Sequence, residues 1–185
     1  MQEKIAIRKK AFINRKKKYF EIYSQFFKPV VTLIKKRKKN KKIFLSFYYP
    51  TNYEVNILKL LEITEIKNTK TLLPVVKSKN EIKFVEWSYL DPLKINHFGI
   101  LEPYLQKNFL IPDVMLIPLL AFDLRNNRLG YGKGFYDKYL SKFLRNKKNI
   151  TTIGVAFLFQ KYNKLPTSKL DIKLDYILTE KGLQK

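Results

Sequence analysis

Residues 114–140 read VMLIPLLAFDLRNNRLGYGKGFYDKYL, and the order of patterns within them decides the fold. From Val114 to Leu119 the chain is apolar at successive positions, so both faces of the strand it forms must be covered, as in the middle of a parallel sheet. Asp123 and the polar pair Asn126-Asn127 mark a turn. Gly130, Gly132 and Gly134 follow at a spacing of two. Over residues 134–144 the positions of Tyr136, Tyr139, Leu140 and Phe143 predict a helix with one inward face. A buried strand, a glycine-bearing turn and a helix, in that order, make the repeating unit of an α/β protein.

The flanking sequence extends the pattern in both directions. Residues 43–48 (IFLSFY), 71–76, 151–157 and 174–178 read as further strands, and residues 82–87 alternate as a half-exposed strand does. Over residues 4–27, Ile5, Phe12, Tyr19 and Phe26 stand seven apart with Ile22 and Tyr23 between them, which predicts one amphipathic helix. Pro29 is expected to end or kink it, with a second short helix over 30–38. The turn Pro50-Thr51-Asn52 is placed to cap a helix over 53–67, lined by Val55, Leu58 and Leu61. Residues 88–112 hold Pro92, Gly99, Pro103 and Pro112 and are expected to be mostly loop, with a functional purpose. The expected fold class is α/β, a three-layer open, mostly parallel sheet with helices on both faces, Rossmann-like in layout. At 185 residues, against about 150 per domain, residues 1–185 form a single domain.

Composition narrows the function classes. There is no cysteine and a single histidine, His97, so thiol catalysis and a zinc site of His and Cys are excluded. His97 and Trp87 are expected to be structural. No apolar run approaches the roughly 20 residues of a membrane span, and no signal-peptide pattern follows the first charges, so a cytoplasmic address is expected. The net charge of +23 invites a polyanion partner. It is concentrated in Arg15-Lys16-Lys17-Lys18, in residues 35–42 and in Lys147-Lys148, places that read as helix ends and connectors, so a solvated surface is the plainer account and no specific nucleic acid is expected.

The glycine segment carries chemistry. Bare backbone amides beside a helix start can hold phosphate oxygens, and Arg128 and Lys133 bracket them with fixed positive charge. The spacing G-x-G-x-G matches neither the dinucleotide fingerprint nor the Walker loop. A flexible turn with ordinary surface cations would look the same on its own. Lys4, Arg8 and Arg15, separated by 4 and 7 residues, share one stripe of the first helix at about 100° per residue.

Residues 118–140 resemble the signature of the 5-formyltetrahydrofolate cyclo-ligase (5,10-methenyltetrahydrofolate synthetase) family, a Pro-x-x-x-Phe-Asp element ahead of Arg-Leu-Gly-x-Gly-x-Gly-aromatic-Tyr-Asp. Supporting pieces occur in chain order: Lys4-x-x-x-Arg8 with Arg15, Glu54, Phe98-Gly99-Ile100-x-Glu102-Pro103, Pro112-Asp113, Gly154-x-Ala156-Phe157 with Gln160, and Leu165-Pro166 followed by Asp171, Asp175 and Thr179-Glu180. The chain departs from the family at residues 167–170, where a Glu and often a His or Asn precede the aspartate.

The resemblance implies an enzyme that uses ATP and Mg²⁺ to close 5-formyltetrahydrofolate to 5,10-methenyltetrahydrofolate, releasing ADP and phosphate. It implies ATP contacts at Lys4, Arg8, Arg128, Leu129, Gly130, Tyr131, Gly132, Lys133, Gly134, Phe135 and Tyr136, with Lys133, Arg128 and Tyr136 catalytic. It implies folate contacts at Phe47, Glu54 and the 131–135 stretch (Tyr131, Gly132, Lys133, Gly134, Phe135), and metal ligands at Asp137 and Asp171. The expected partners are these small molecules, and a monomer is expected. The alternatives are a basic nucleic-acid-binding protein and a small-molecule kinase using the same glycine loop.

Overall fold

The computed structural model describes residues 2–37, 42–63, 66, 69–78, 81–104, 108–145 and 149–185. In chain order it contains α1 (Gln2–Lys18), α2 (Lys28–Arg37), β1 (Phe44–Ser46), β2 (Lys70–Ser78), β3 (Glu81–Glu86), β4 (Leu93–Ile95), β5 (Leu101–Pro103), β6 (Val114–Pro118), β7 (Ala121–Asp123), β8 (Arg128–Leu129), α3 (Phe135–Arg145), β9 (Thr151–Val155), β10 (Lys161–Tyr162), β11 (Tyr176–Thr179) and β12 (Gly182–Gln184). Among the described residues a seven-stranded sheet runs in the order β12-β11-β9-β6-β1-β2-β3. Its inner strands pair in parallel. The edge strands β12 and β3 pair antiparallel.

The two-residue period of a strand divides the core into two layers. Val114 and Leu116 of β6 join one cluster with Leu45, Leu73 and Leu178, and against it pack Val30, Val31 and Ile34 of α2 and Ile57 and Leu60. Met115 and Ile117 point to the other side, where Leu72 and Ile177 meet Tyr139 and Leu140 of α3. Burial of a side chain such as Leu140, 1% exposed, contributes about 2 kcal/mol. These two layers around one sheet are the expected three-layer α/β arrangement. A smaller cluster, Ala11 of α1 with Leu120, Ala121, Leu129 and Leu165, fastens the first helix to the sheet β10-β7-β8.

Topology places the site. From β1 the chain crosses to β2 on one side through the apolar turn Ile57–Glu62, and from β6 it crosses to β9 on the other side through α3. The two crossovers cover opposite faces. Adjacent strands whose connections leave in opposite directions open a crevice beyond their carboxyl ends, where ligands of open α/β sheets bind.

Several expectations are corrected. The first helix ends at Lys18, not at residue 27, because Tyr19 and Phe26 belong to the core beside α2, and Ile5 is 57% exposed. The cations at its last turn complement the helix dipole. Lys28 is helical despite the proline after it, so α2 starts there with Pro29 in its first turn. Among the described residues, the helix expected over 53–67 gives a 3-10 segment, Ile57–Glu62, since Asn52 and Tyr53 have φ of 51° and 63° and cannot begin an α-helix. Residues 88–112 contain the antiparallel pair β4 and β5. The turn at Asn126-Asn127 joins the hairpin β7–β8. Trp87 is core, 2% exposed, whereas His97 is exposed against the Phe98 ring. Lys38, Lys39, Lys41, Lys147 and Lys148 lie outside the described residues. No helix among those described is long and apolar enough to cross a membrane.

Candidate active site

The glycine loop is aimed by a buried carboxylate. Asp123 accepts the backbone N–H groups of Arg125 at 2.9 Å, Asn127 at 3.0 Å and Leu165 at 3.1 Å, folding the β7–β8 hairpin back so that residues 130–134 emerge just past the end of β6. Burial raises the Asp123 carboxyl, but these bonds and the Asn127 side chain outweigh it and hold it below the usual range. The loop then enters α3 at Phe135. Gly132 and Gly134 adopt φ of 99° and 69°, the left-handed region that favours glycine.

Cations converge on this loop from two directions. From α1, Arg8 Nε donates to the Gly130 carbonyl at 2.9 Å, and Lys4 pairs with Asp171. From β8, Arg128 reaches Asp137 Oδ1 at 3.0 Å, and its guanidinium lies 6.0 Å from the Tyr136 ring centroid. Burial lowers the Arg128 pKa, while Asp137 raises it in part; a guanidinium remains charged under both influences. Burial first, and Glu54 second, push the Tyr136 phenol well up, so it is neutral at physiological pH. Lys133 is exposed, its ammonium 5.3 Å from the Phe98 ring centroid.

The two aspartates expected to bind a metal are brought together. Asp137 Oδ1 accepts the Ile172 N–H at 3.0 Å, and Asp171 Oδ2 accepts the Ser168 N–H at 2.6 Å. Burial raises the Asp171 carboxyl, but Lys4 and Ser168 more than offset this and lower it. The backbone of Ser168 thus does, within the departing stretch 167–170, the orienting that a side chain just ahead of the aspartate could do. Among the described residues no three His, Asp or Glu side chains gather. Two carboxylates beside a cation-rich loop, with oxygen donors only, nevertheless fit Mg²⁺, which normally keeps waters and phosphate oxygens as its other ligands.

Across the crevice stands Glu54, 6% exposed. Its Oε2 accepts the Thr51 N–H at 2.9 Å and its Oε1 the Tyr131 hydroxyl at 2.8 Å. Burial raises its pKa, opposed by the Thr51 N–H, the charge of Arg15 and the Tyr131 hydroxyl. The left-handed pair Asn52-Tyr53 turns the chain so that this carboxylate folds back on Thr51. A further wall comes from the β4–β5 segment. Asn96 donates to Glu102 Oε2 at 2.9 Å, Val76 N–H donates to the same oxygen at 2.9 Å, and the Phe98 ring meets Phe135 edge-on at 5.6 Å.

These surfaces enclose a cavity of about 400 Å³, the size of a small-molecule site. Lys4, Arg8, Glu54, Asp171 and every residue from Arg128 to Asp137 line it. Phe47 does not: it is fully buried in the core, and Tyr48 and Tyr49 line the cavity instead. The wall of Asn96, Phe98 and Glu102 carried no assigned role in the sequence, although the motif around Phe98 and Glu102 was its available signal.

A mostly parallel α/β sheet whose switch point opens on a glycine loop and a small-molecule cavity has the layout of an α/β enzyme. The chain belongs to the 5-formyltetrahydrofolate cyclo-ligase family, whose model matches residues 2–180. It is 34% identical to the 5-formyltetrahydrofolate cyclo-ligase of Haemophilus influenzae over 140 residues, 72% of this chain and 74% of that one. It is 32% identical to that of Escherichia coli K12 over 143 residues, 74% and 75% of the two chains. The fold matches the solved 5,10-methenyltetrahydrofolate synthetase of Aquifex aeolicus with a TM-score of 0.75 at 30% identity, covering 98% of this chain and 92% of that one. The Mycoplasma pneumoniae 5,10-methenyltetrahydrofolate synthetase gives 0.70 at 28% identity, with 95% and 98% covered.

Proposed function

We propose that this chain closes 5-formyltetrahydrofolate to 5,10-methenyltetrahydrofolate, using one ATP and releasing ADP and phosphate. The observation that carries the reading is the 2.8 Å hydrogen bond from Tyr131 to Glu54, which joins the glycine loop to the carboxylate on the opposite side of the same cavity. Two substrates that react with each other need such a shared space. The relatives' names supply the reaction class.

In this reading the amides of residues 130–134, with Arg8 and Lys4 above them, receive the triphosphate. The formyl oxygen attacks the γ-phosphorus and the bond to ADP breaks, converting a poor leaving group into a phosphate. N10 then attacks the formyl carbon, loses its proton, and phosphate departs with the formyl oxygen. Lys133 neutralises charge on the transferring phosphoryl group. Arg128, held by Asp137, does so from a fixed position. Tyr136, a neutral phenol, donates a hydrogen bond to an oxygen that gains charge. Glu54 accepts donors from the pterin edge. Asp137 and Asp171 would hold Mg²⁺, which supplies neutralisation of phosphate oxygens.

Turnover of 5-formyltetrahydrofolate with MgATP, followed by the near-ultraviolet absorbance of the methenyl product, tests the assignment. Absorbance growth that requires ATP supports it. A folded protein giving no methenyl product, or a phosphorylated folate with no ring closure as a kinase would give, contradicts it.

A further inference from the structure

Arg15 is 1% exposed, although it shares a stripe of α1 with Lys4 and Arg8, which line the cavity. A guanidinium removed from water to this extent needs partners. It donates to the Leu119 carbonyl at 3.1 Å, immediately past the end of β6, and to the Tyr131 hydroxyl. Its Nε has no hydrogen-bond partner among the described residues. Neither partner carries a charge. The anion that answers Arg15 is Glu54, one hydrogen bond further on through Tyr131.

The direction of this chain is fixed by proton arithmetic. A phenol has one O–H. Because Arg15 donates to its oxygen, the Tyr131 proton must point elsewhere, and it points to Glu54 Oε1. Oε2 is meanwhile held by the Thr51 N–H. The carboxylate is therefore clamped at both oxygens, with its remaining acceptor positions available to the cavity it lines. Arg15 and Glu54 are buried at the two ends of this chain and the Tyr131 hydroxyl joins them at the cavity wall, so each bond limits the geometry of the next.

We infer that Arg15 is a positioning residue for the folate: acting through the Tyr131 hydroxyl, it fixes the orientation in which Glu54 meets the donor edge of the substrate. The inference rests on the folate role proposed for this cavity. Arg15 does not line the cavity, so it reaches the folate side only through the Tyr131 hydroxyl and through its charge on Glu54.

The test is a double-mutant cycle on the full chain, comparing the parent with Arg15→Lys, Tyr131→Phe and the pair together. Calorimetric titration with 5-formyltetrahydrofolate alone, without nucleotide, reads binding directly. Each single variant is expected to bind about tenfold more weakly, and the double variant no more weakly than the worse single, since both cut the same chain. In turnover the KM for folate is expected to follow the same pattern, and for Arg15→Lys, which lies outside the cavity lining, kcat is expected to stay within about threefold of the parent. Arg15→Gln, which keeps a planar N–H head, takes the place of Arg15→Lys if the latter loses the parent's cooperative unfolding. Losses that multiply to about a hundredfold in the double variant, or binding unchanged in the singles, would overturn the inference. So would failure of both Arg15 variants to fold, which would make Arg15 a support of the fold alone. A folded parent that neither binds nor converts 5-formyltetrahydrofolate would remove the folate reading itself, and the inference with it.

Discussion

Arg8 and Gly132 are fitted to one another: a Cβ built on Gly132 would stand 3.2 Å from the Arg8 Cζ, while Arg8 Nε holds the Gly130 carbonyl at 2.9 Å. The guanidinium lies against the loop so closely that a Cβ there would push it back by a few tenths of an ångström. With φ of 99°, the position is also strained for any L side chain. Gly132→Ala is expected to cost about 1–3 kcal/mol of stability through backbone strain. It is also expected to raise the KM for ATP about tenfold or more, as Arg8 is displaced. Chemical denaturation and initial rates check the two effects separately.

Lys133 is exposed and supports no part of the core. Lys133→Ala is therefore expected to keep the parent's melting temperature within a degree or two while lowering kcat on the order of 10²-fold, since a loop cation acts most strongly on charge that develops during transfer. Steady-state rates at saturating ATP and folate measure it. Parental kcat would exclude Lys133 from the chemistry.

Asp137 is the carboxylate that both Arg128 and the Ile172 N–H hold in place. Asp137→Asn keeps the shape and removes the anion, so the Mg²⁺ concentration at half-maximal rate is expected to rise about tenfold or more while the KM for folate stays nearly unchanged. Rates across a Mg²⁺ series, with chelator at the low end, distinguish this from a general loss of activity.

Glu54 is held above the usual carboxyl range chiefly by burial, against the Thr51 N–H, the Arg15 charge and the Tyr131 hydroxyl. A carboxyl whose folded pKa exceeds its unfolded value favours folding when protonated, and that contribution fades as pH rises through the folded value. The stability of the parent minus that of Glu54→Gln is therefore expected to fall as pH rises from the ordinary carboxyl value of about 4 through the raised folded one, measured by denaturant midpoints across an acid-to-neutral series. Folate affinity is expected to fall in the same variant, since Glu54 is the carboxylate proposed to accept the donor edge of the substrate.

The parts of this account that were legible in the sequence are those in which one pattern answers to one surface. Residues 114–118 are apolar throughout because both faces of β6 are covered, and Tyr136, Tyr139, Leu140 and Phe143 recur at helical spacing because α3 covers one face. The seven-residue spacing from Ile5 to Phe26 misled because Ile5 faces solvent, Phe12 packs on one cluster, and Tyr19 and Phe26 pack on another. The segment after β1 was illegible because tertiary contacts, among them the Tyr48 hydroxyl on the Val55 carbonyl at 2.9 Å, hold Asn52 and Tyr53 where local preference would not. Strands of two or three residues, such as β7, β8 and β10, are too short for any period to register. Within the site, the glycine loop announced itself by residue type. Phe47 could not be told from Tyr48 and Tyr49, since all three are aromatic and β1 ends at Ser46, a boundary that the apolar run over 43–48 does not mark. Nothing in the run Arg15-Lys16-Lys17-Lys18 distinguished the buried cation from its exposed neighbours.

The central claim is that ATP activates the formyl oxygen for departure as phosphate, and oxygen labelling tests it most directly. Substrate carrying ¹⁸O in the formyl group is converted with MgATP in unlabelled water over a single turnover, and the released phosphate is analysed by mass. The account predicts one ¹⁸O in each phosphate formed, in equal amount with ADP and with the methenyl product. Unlabelled phosphate, with the label recovered in water, would contradict it.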